Sequence, residues 1–293
     1  RDRVEALSGN RRHAEMIHRR AFVLSAAAAT LLPSFARAGA SRLSVSGSQE
    51  QGGLVVVKAA PGAKANVDGK TVLVSPEGLF AFGIAYDRTD NATIHVDFAD
   101  GSSETRTVSP VVRHYEVQSI TGLPQKFVTP APEELQRIKE EHARLAIARQ
   151  VDTPESWFGE PFDWPFPGII SGVYGSQRIL NGTPMAPHLG VDIAAPAGTP
   201  IHAPAGARVA IAAPWFLEGN FTMLDHGHGV FTEYLHQSEF RVKEGDVVTR
   251  GQVIGLVGQT GRATGPHSHW GMNWFQLKLD PSLYTRTPAP EKL

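Results

Sequence analysis

From about Leu43 onward the chain consists of short runs of β-branched and aromatic residues, each closed by a turn signal. Leu54–Val57, Thr71–Val74, Leu79–Phe82, Thr93–Val96 and His114–Val117 follow this pattern, and Pro61-Gly62, Asp68-Gly69, Pro76-Glu77-Gly78 and Asp100-Gly101 punctuate it. A turn signal roughly every ten residues leaves no room for long helices and predicts a small β-sandwich-like domain over residues 39–127. The chain has no cysteine, so the Cys-Trp-Cys signature of antibody domains is absent and "immunoglobulin-like" describes architecture only.

The pattern changes once. After Pro124, Pro130 and Pro132, residues 133–149 place Leu135, Ile138, His142 and Leu145 at helical spacing, with acids at the start and Arg149 at the end. An amphipathic helix is expected here, inside a linker spanning 128–156. His142 falls near its apolar stripe, where packing is its expected use. Trp157, Phe158, Phe162, Trp164 and Phe166 then crowd between prolines. Such a cluster can line a groove, but it more often fills the seam between two domains. Beyond residue 170 the short runs return at Arg208–Ile211, Phe221–Leu224, Val230–Leu235 and Val253–Val257. The expected fold is therefore mainly β: the small N-terminal domain, the connecting helix, and an antiparallel β domain over 157–293.

The first 38 residues read as an address. Arg19-Arg20 precede an Ala-rich apolar stretch, and Ala36-Arg37-Ala38 has the small-x-small form of a cleavage site. The apolar stretch, about a dozen residues, falls short of the roughly 20 needed to span a bilayer. It fits an export signal of twin-arginine or general secretory type, with Gly39 as the first mature residue and Met16 as the expected start. No transmembrane anchor is expected, and the product should be exported, with a Gram-negative periplasm the expected compartment. The leader holds seven arginines and three acids, so the remainder carries 21 basic and 26 acidic residues, a net charge of −5. A mildly acidic chain gives no footing for nucleic acid, whose binders are usually strongly basic.

Lack of cysteine also excludes thiolate zinc sites, iron–sulfur clusters and cysteine nucleophiles, so any metal must be held by His, Asp or Glu. Seven of the 12 histidines lie between residues 188 and 269. Three local patterns stand out. His188-Leu-Gly-Val-Asp192 puts an imidazole and a carboxylate on one side of the chain, a pair suited to Zn²⁺. His267-Ser-His269 places two imidazoles on one face of a strand. That spacing allows both to bind one metal, or one to ligate while the other reaches a nearby water. His236 closes a strand-like run before a turn, where a side chain can project over a site.

In this order, together with Asp192-Ile-Ala-Ala-Pro-Ala-Gly-Thr-Pro, Asp225-His-Gly-His-Gly, Glu244-Gly-Asp-Val-Val-Thr-Arg-Gly-Gln-Val-Ile-Gly and Gly258-Gln-Thr-Gly-Arg-Ala-Thr-Gly-Pro-His-Ser-His, the motifs over about 170–284 closely resemble the M23 family of zinc metallopeptidases, the LytM and lysostaphin type. The resemblance implies one zinc ion per chain, with His188, Asp192 and His269 as ligands and His236 and His267 as catalytic histidines. It implies hydrolysis of peptide cross-links in peptidoglycan by a zinc-activated water, with the peptide stems as partner. D-Ala–diaminopimelate bonds are the expected target, and glycine bridges the lesser one. A regulatory protein partner and autoinhibition by the N-terminal domain or linker are compatible with it.

Two positions depart from the usual family pattern: Ser268 replaces a bulkier apolar residue, and Trp270–Trp274 replaces a more charged continuation. The alternative is a catalytically inactive M23-like domain that binds the cell wall and activates another hydrolase; such domains lose zinc ligands, whereas all five polar positions survive here. A third reading, a cell-wall binding module, finds no specific motif within residues 43–120. Glu244–Gly255 also resembles half of a biotinyl or lipoyl carrier motif, but such carriers need a lysine at the hairpin tip, and none lies between Lys243 and Lys278. His95, His114, His202, His226 and His228 are expected in structural or surface roles.

Overall fold

The computed structural model describes residues 41–122 and 129–290; the expected leader lies outside this range. Eight strands precede the helix: β1 (Ser44–Gly47), β2 (Leu54–Lys58), β3 (Lys64–Val67), β4 (Lys70–Val72), β5 (Leu79–Gly83), β6 (Ala92–Asp97), β7 (Ser103–Val108) and β8 (Val117–Ile120). The helix α1 (Pro132–Ala148) follows. Then come β9 (Ile169–Gly172), β10 (Gln177–Leu180), β11 (Thr183–Pro184), β12 (Val191–Ala194), β13 (Pro200–His202), β14 (Ala207–Trp215), β15 (Gly219–Asp225), β16 (Val230–Gln237), β17 (Glu239–Phe240), β18 (Val247–Val248), β19 (Val253–Leu256), β20 (His267–Trp274) and β21 (Leu277–Leu279). The mainly β expectation is met.

Upstream, a three-stranded sheet β1-β2-β5 faces a four-stranded sheet β4-β3-β6-β7. Val55, Val57, Phe80 and Phe82 point between them, onto Ile94 and Val96. The opposite faces of β2 and β5 present Leu54, Val56 and Ala81, which enter a second core with Ile193, Tyr234, Trp270 and Met272. Burial on both sides explains why β2 reads as an unbroken Leu-Val-Val-Val rather than an alternating pattern. Phe158, Phe162 and Phe166 fill this second core, while the Trp164 indole meets Trp270 edge-on, 5.2 Å between centroids. The aromatic cluster thus packs, as the seam reading expects.

Downstream, β18-β14-β15-β16-β20-β12-β9 form one antiparallel sheet, with β21 added beside β20. Along β20 the Ser268, Trp270 and Met272 side chains alternate with His267, His269 and Gly271, so the histidines share the face turned away from the main core. α1 packs beside this sheet. Glu134 accepts from the Ala131 N–H at its start, Leu145 is buried with Trp215, Phe221 and Phe231, and Arg149 closes it. Of the expected stripe only Leu145 is buried; Leu135 is 52% exposed. His142 is not packed but exposed, with Nε2 3.2 Å from Glu218 Oε1. This polar pairing pulls it out of the stripe.

The two strand runs at the edges of the upstream region are corrected in detail. β4 ends at Val72, because the Leu73 carbonyl accepts instead from His228 Nδ1. The His114–Val117 run is not a strand; pairing begins at Val117, where β8 lies parallel to β10. Among the described residues no helix is long and apolar enough to cross a membrane.

Candidate metal centre

β12 and β20 run antiparallel with Asp192 directly opposite His269. Directly opposed residues hold their Cβ atoms about 5 Å apart, close enough for the two side chains to share a ligand. His188 enters from the loop before β12. Gly190, between His188 and Asp192, lets the chain pass close to the ring of His269: a Cβ there would lie 2.3 Å from His269 Nε2.

Three atoms converge as a result. His188 Nε2 lies 2.8 Å from His269 Nδ1, and Asp192 Oδ1 lies 3.1 Å from the first and 2.9 Å from the second. One side of the His188 ring is fixed, because its Nδ1–H donates to the Val173 carbonyl, and Nε2 is the nitrogen turned towards the other two groups. Two imidazole nitrogens and a carboxylate oxygen thus aim at one point, an arrangement that calls for a cation. The donors are N, O and N without sulfur, and their number leaves one position of a four-coordinate site open. Ligand atoms of a tetrahedral zinc site lie about 3.4 Å apart, so a small outward movement seats the ion. The residues fit zinc.

Burial alone would raise the Asp192 carboxyl, but the neighbouring His188 and Arg178 and two hydrogen bonds outweigh it and hold the group well below the usual carboxylate range. Burial lowers His269 to about 4, so its imidazole is neutral and free to ligate at neutral pH.

His236 and His267 stand beside this triad with ring centroids 4.8 Å apart. His236 sits near the end of β16 with φ 65°, a left-handed conformation uncommon outside glycine. It is held there by its N–H donating to the Glu218 carbonyl and its Nδ1–H donating to the Thr260 carbonyl. His267 donates through Nδ1 to the Gly265 carbonyl. In both rings a carbonyl takes up the Nδ1–H, which leaves Nε2 as the nitrogen able to bind or release a proton. Burial first, and the neighbouring His267 next, hold His236 down at about 3. Ser268 points to the other face, its hydroxyl donating to the Leu235 carbonyl.

All five residues singled out from the sequence therefore gather in one place. The other histidines do not join them. His226 is fully buried between the Gly206 carbonyl and the Thr232 hydroxyl, His228 lies against the Leu73 and Pro154 carbonyls, and His202 donates to Pro165. Two features escaped the sequence. Arg178 on β10 grips Asp192 Oδ2 through Nη2. Glu233, opposite Gly271 on β16, is buried with Arg149 and Lys278 on it. Neither carries a local signal, since each pairing joins separate elements, 14 residues apart for Arg178 and Asp192 and 84 for Arg149 and Glu233.

A chain with this sheet and this histidine–aspartate grouping is a metallopeptidase-type β protein, and comparison with known proteins agrees. Residues 186–281 match the model of peptidase family M23. The crystal structure of a putative peptidase M23 from Pseudomonas aeruginosa superposes with a TM-score of 0.63 at 31% identity, covering 81% of this chain and 95% of that one. This protein belongs to peptidase family M23. It is 45% identical over 102 residues to peptidoglycan DD-endopeptidase ShyA of Vibrio cholerae, a stretch covering 34% of this chain and 24% of that protein. It is 47% identical over 104 residues to DD-carboxypeptidase/endopeptidase Mpg of Neisseria meningitidis, covering 36% and 24%. The chain thus matches about a quarter of the length of these curated relatives.

Proposed function

We propose that the protein is a zinc metalloendopeptidase that hydrolyses peptide cross-links of peptidoglycan outside the cytoplasmic membrane, with D-Ala–diaminopimelate bonds as target. The observation that carries this reading is the convergence of His188 Nε2, Asp192 Oδ1 and His269 Nδ1 beside two further imidazoles with free Nε2 atoms. The names of ShyA and Mpg support the substrate class and the peptide-bond chemistry. Export is supported by the leader-like sequence of residues 1–38 and by the location of the substrate.

His188, Asp192 and His269 would hold the ion, which supplies Lewis-acid polarisation of the scissile carbonyl and makes water a nucleophile near neutral pH. The chain's own part is proton handling. His236 and His267 each offer an Nε2 lone pair within one small space, with Nδ1–H anchored to a carbonyl that fixes the ring. One accepts the proton of the attacking water; as imidazolium it then stabilises the oxyanion or returns the proton to the leaving amine. The sheet face and its loops orient the extended peptide across this pair. No H-E-x-x-H glutamate occurs in the sequence, and His236 and His267 take the role of base in this reading.

The test is zinc analysis of the purified chain together with digestion of purified peptidoglycan. One zinc per chain and new peptide termini are expected. Stoichiometric zinc without new termini would remove the enzyme reading and favour a binding role.

A further inference from the structure

The two oxygens of Asp192 have different partners. Oδ1 faces His188 and His269. Oδ2 points away from them, onto the guanidinium of Arg178. Gly172, beside Asp192 on β9, makes room for this: a Cβ there would lie 2.6 Å from Oδ2. The carboxylate is therefore gripped from its outer side by a cation that is not itself part of the converging triad.

Arg178 is in turn held by the upstream part of the chain. β10 pairs in parallel with β8, the Gln177 N–H donating to the Glu116 carbonyl and the Asn181 N–H to that of Ile120. Gln118 is the register partner of Arg178, and its amide Nε2 donates to the Ser171 carbonyl on β9. Its Oε1 and the Arg178 Nε–H are both buried and make no hydrogen bond, to each other or to any other group. Side chains in register on neighbouring strands share a face, so Gln118 stands beside Arg178. Gly172 on β9 and Arg178 on β10, itself paired to β8, together enclose the outer oxygen of Asp192.

A carboxylate binds a divalent cation through one oxygen or through both. A guanidinium on Oδ2 removes the second option. We propose that Arg178 is a positioning residue that restricts Asp192 to single-oxygen ligation through Oδ1 and so keeps a coordination position open. This rests on the metal-centre reading above. Metal affinity is a poor gauge of the effect, because the same positive charge repels a divalent ion on the shared carboxylate while orienting the ligand for it. Coordination number separates the two, since only orientation alters it.

The experiment uses the full chain loaded with Co²⁺, whose visible ligand-field absorption is strong at four-coordination and weaker at five. Arg178→Met is expected to keep stoichiometric cobalt but lose about half or more of the band intensity as Oδ2 joins the ion. Arg178→Lys, which returns a point charge near Oδ2, is expected to regain most of it. Arg178→Gln, neutral and still able to donate, serves if the Met variant does not fold, with a smaller loss expected. Cobalt bound with a wild-type spectrum in the neutral variants overturns the role of Arg178. Failure of the wild-type chain to bind either cobalt or zinc overturns the metal centre instead, so the two failures are distinguishable.

Discussion

His236 and His267 face each other with ring centroids 4.8 Å apart, and each spends its Nδ1–H on a loop carbonyl, Thr260 and Gly265 respectively. The backbone thus leaves the two Nε2 atoms side by side, and neither ring belongs to the His188–Asp192–His269 grouping. Removing one of these rings should leave the ligand set intact. His267→Ala and His236→Ala are each expected to keep zinc and lose turnover by about 10²–10⁴-fold, the range of a lost general base or acid. His269→Ala should lose metal and turnover together. Zinc content by atomic absorption, read beside peptidoglycan digestion, checks all three. If His267→Ala emptied the site of zinc, the division between ligands and proton carriers would be wrong.

Gly190 sets a second, steric condition. Its Cβ would fall 2.3 Å from His269 Nε2 and 2.9 Å from the Trp270 carbonyl. One of these neighbours is strand backbone, so the imidazole must move. Gly190→Ala is therefore expected to weaken zinc binding by roughly 10- to 100-fold, as for a ligand pushed out of line. The measurement is competition with a chromophoric chelator. Unchanged zinc affinity would mean that His269 is not pinned by this contact.

How much of this was legible in the sequence follows from the range of each interaction. H-x-x-x-D and H-x-H show which side chains lie together because a few residues of chain fix that, whereas their division into ligands and proton carriers comes only from the family resemblance. β2 declares itself because Leu54–Val57 are apolar and buried on both faces, with only the final Lys58 exposed. β7, Ser-Glu-Thr-Arg-Thr-Val, does not: it is an edge strand with mostly exposed side chains and looks like a loop. β8 starts at Val117 rather than within the aromatic-rich His114-Tyr115 because its partner is β10, some sixty residues away. Arg178 is only 14 residues from Asp192, but it lies on a strand of another sheet, so it looks like any surface arginine until its contact with β12 is seen. Likewise, spacing put His142 on the apolar stripe of α1, but Glu218 on a distant hairpin decides its use.

The most demanding of these distant groupings is Glu233 with Arg149 and Lys278. Arg149 Nε donates to Oε1 at 3.0 Å and Lys278 Nζ to Oε2 at 2.7 Å. Burial would raise the carboxyl, yet the two cations outweigh it and bring it down to about 2. Glu233→Leu leaves Arg149 charged, buried and without this partner, a change that typically costs about 3–5 kcal/mol. Urea unfolding is expected to register a loss of that order. Adding Arg149→Met and Lys278→Met to Glu233→Leu should recover most of it, because an apolar cluster of similar volume needs no desolvated charge. If the triple variant were no more stable than Glu233→Leu alone, uncompensated charge would not be the cause.

Acid sensitivity is expected from His226, which is not part of the His188–Asp192–His269 grouping. Its side chain is fully buried, Nδ1–H donating 2.7 Å to the Gly206 carbonyl while Nε2 accepts from the Thr232 hydroxyl at 2.8 Å. Burial lowers its pKa from 6.5 to about 4. The folded chain therefore resists a proton that the unfolded chain accepts readily. Above pH 6.5 both states are neutral here and the stabilisation is complete. Between pH 6.5 and 4 the unfolded state binds more protons, so stability falls with pH, by about 3 kcal/mol for this one residue. His236 and His269 act in the same direction when metal-free, so the wild-type slope alone does not isolate His226. The difference between wild type and His226→Gln does. The variant is expected to be less stable at pH 7.5, having exchanged a fitted imidazole for an amide, but to lose less on acidification, so that the two stability curves converge towards pH 4. Urea titrations of the metal-free chains at half-unit pH steps measure this, and parallel curves over the whole window would show that His226 takes up its proton equally in both states.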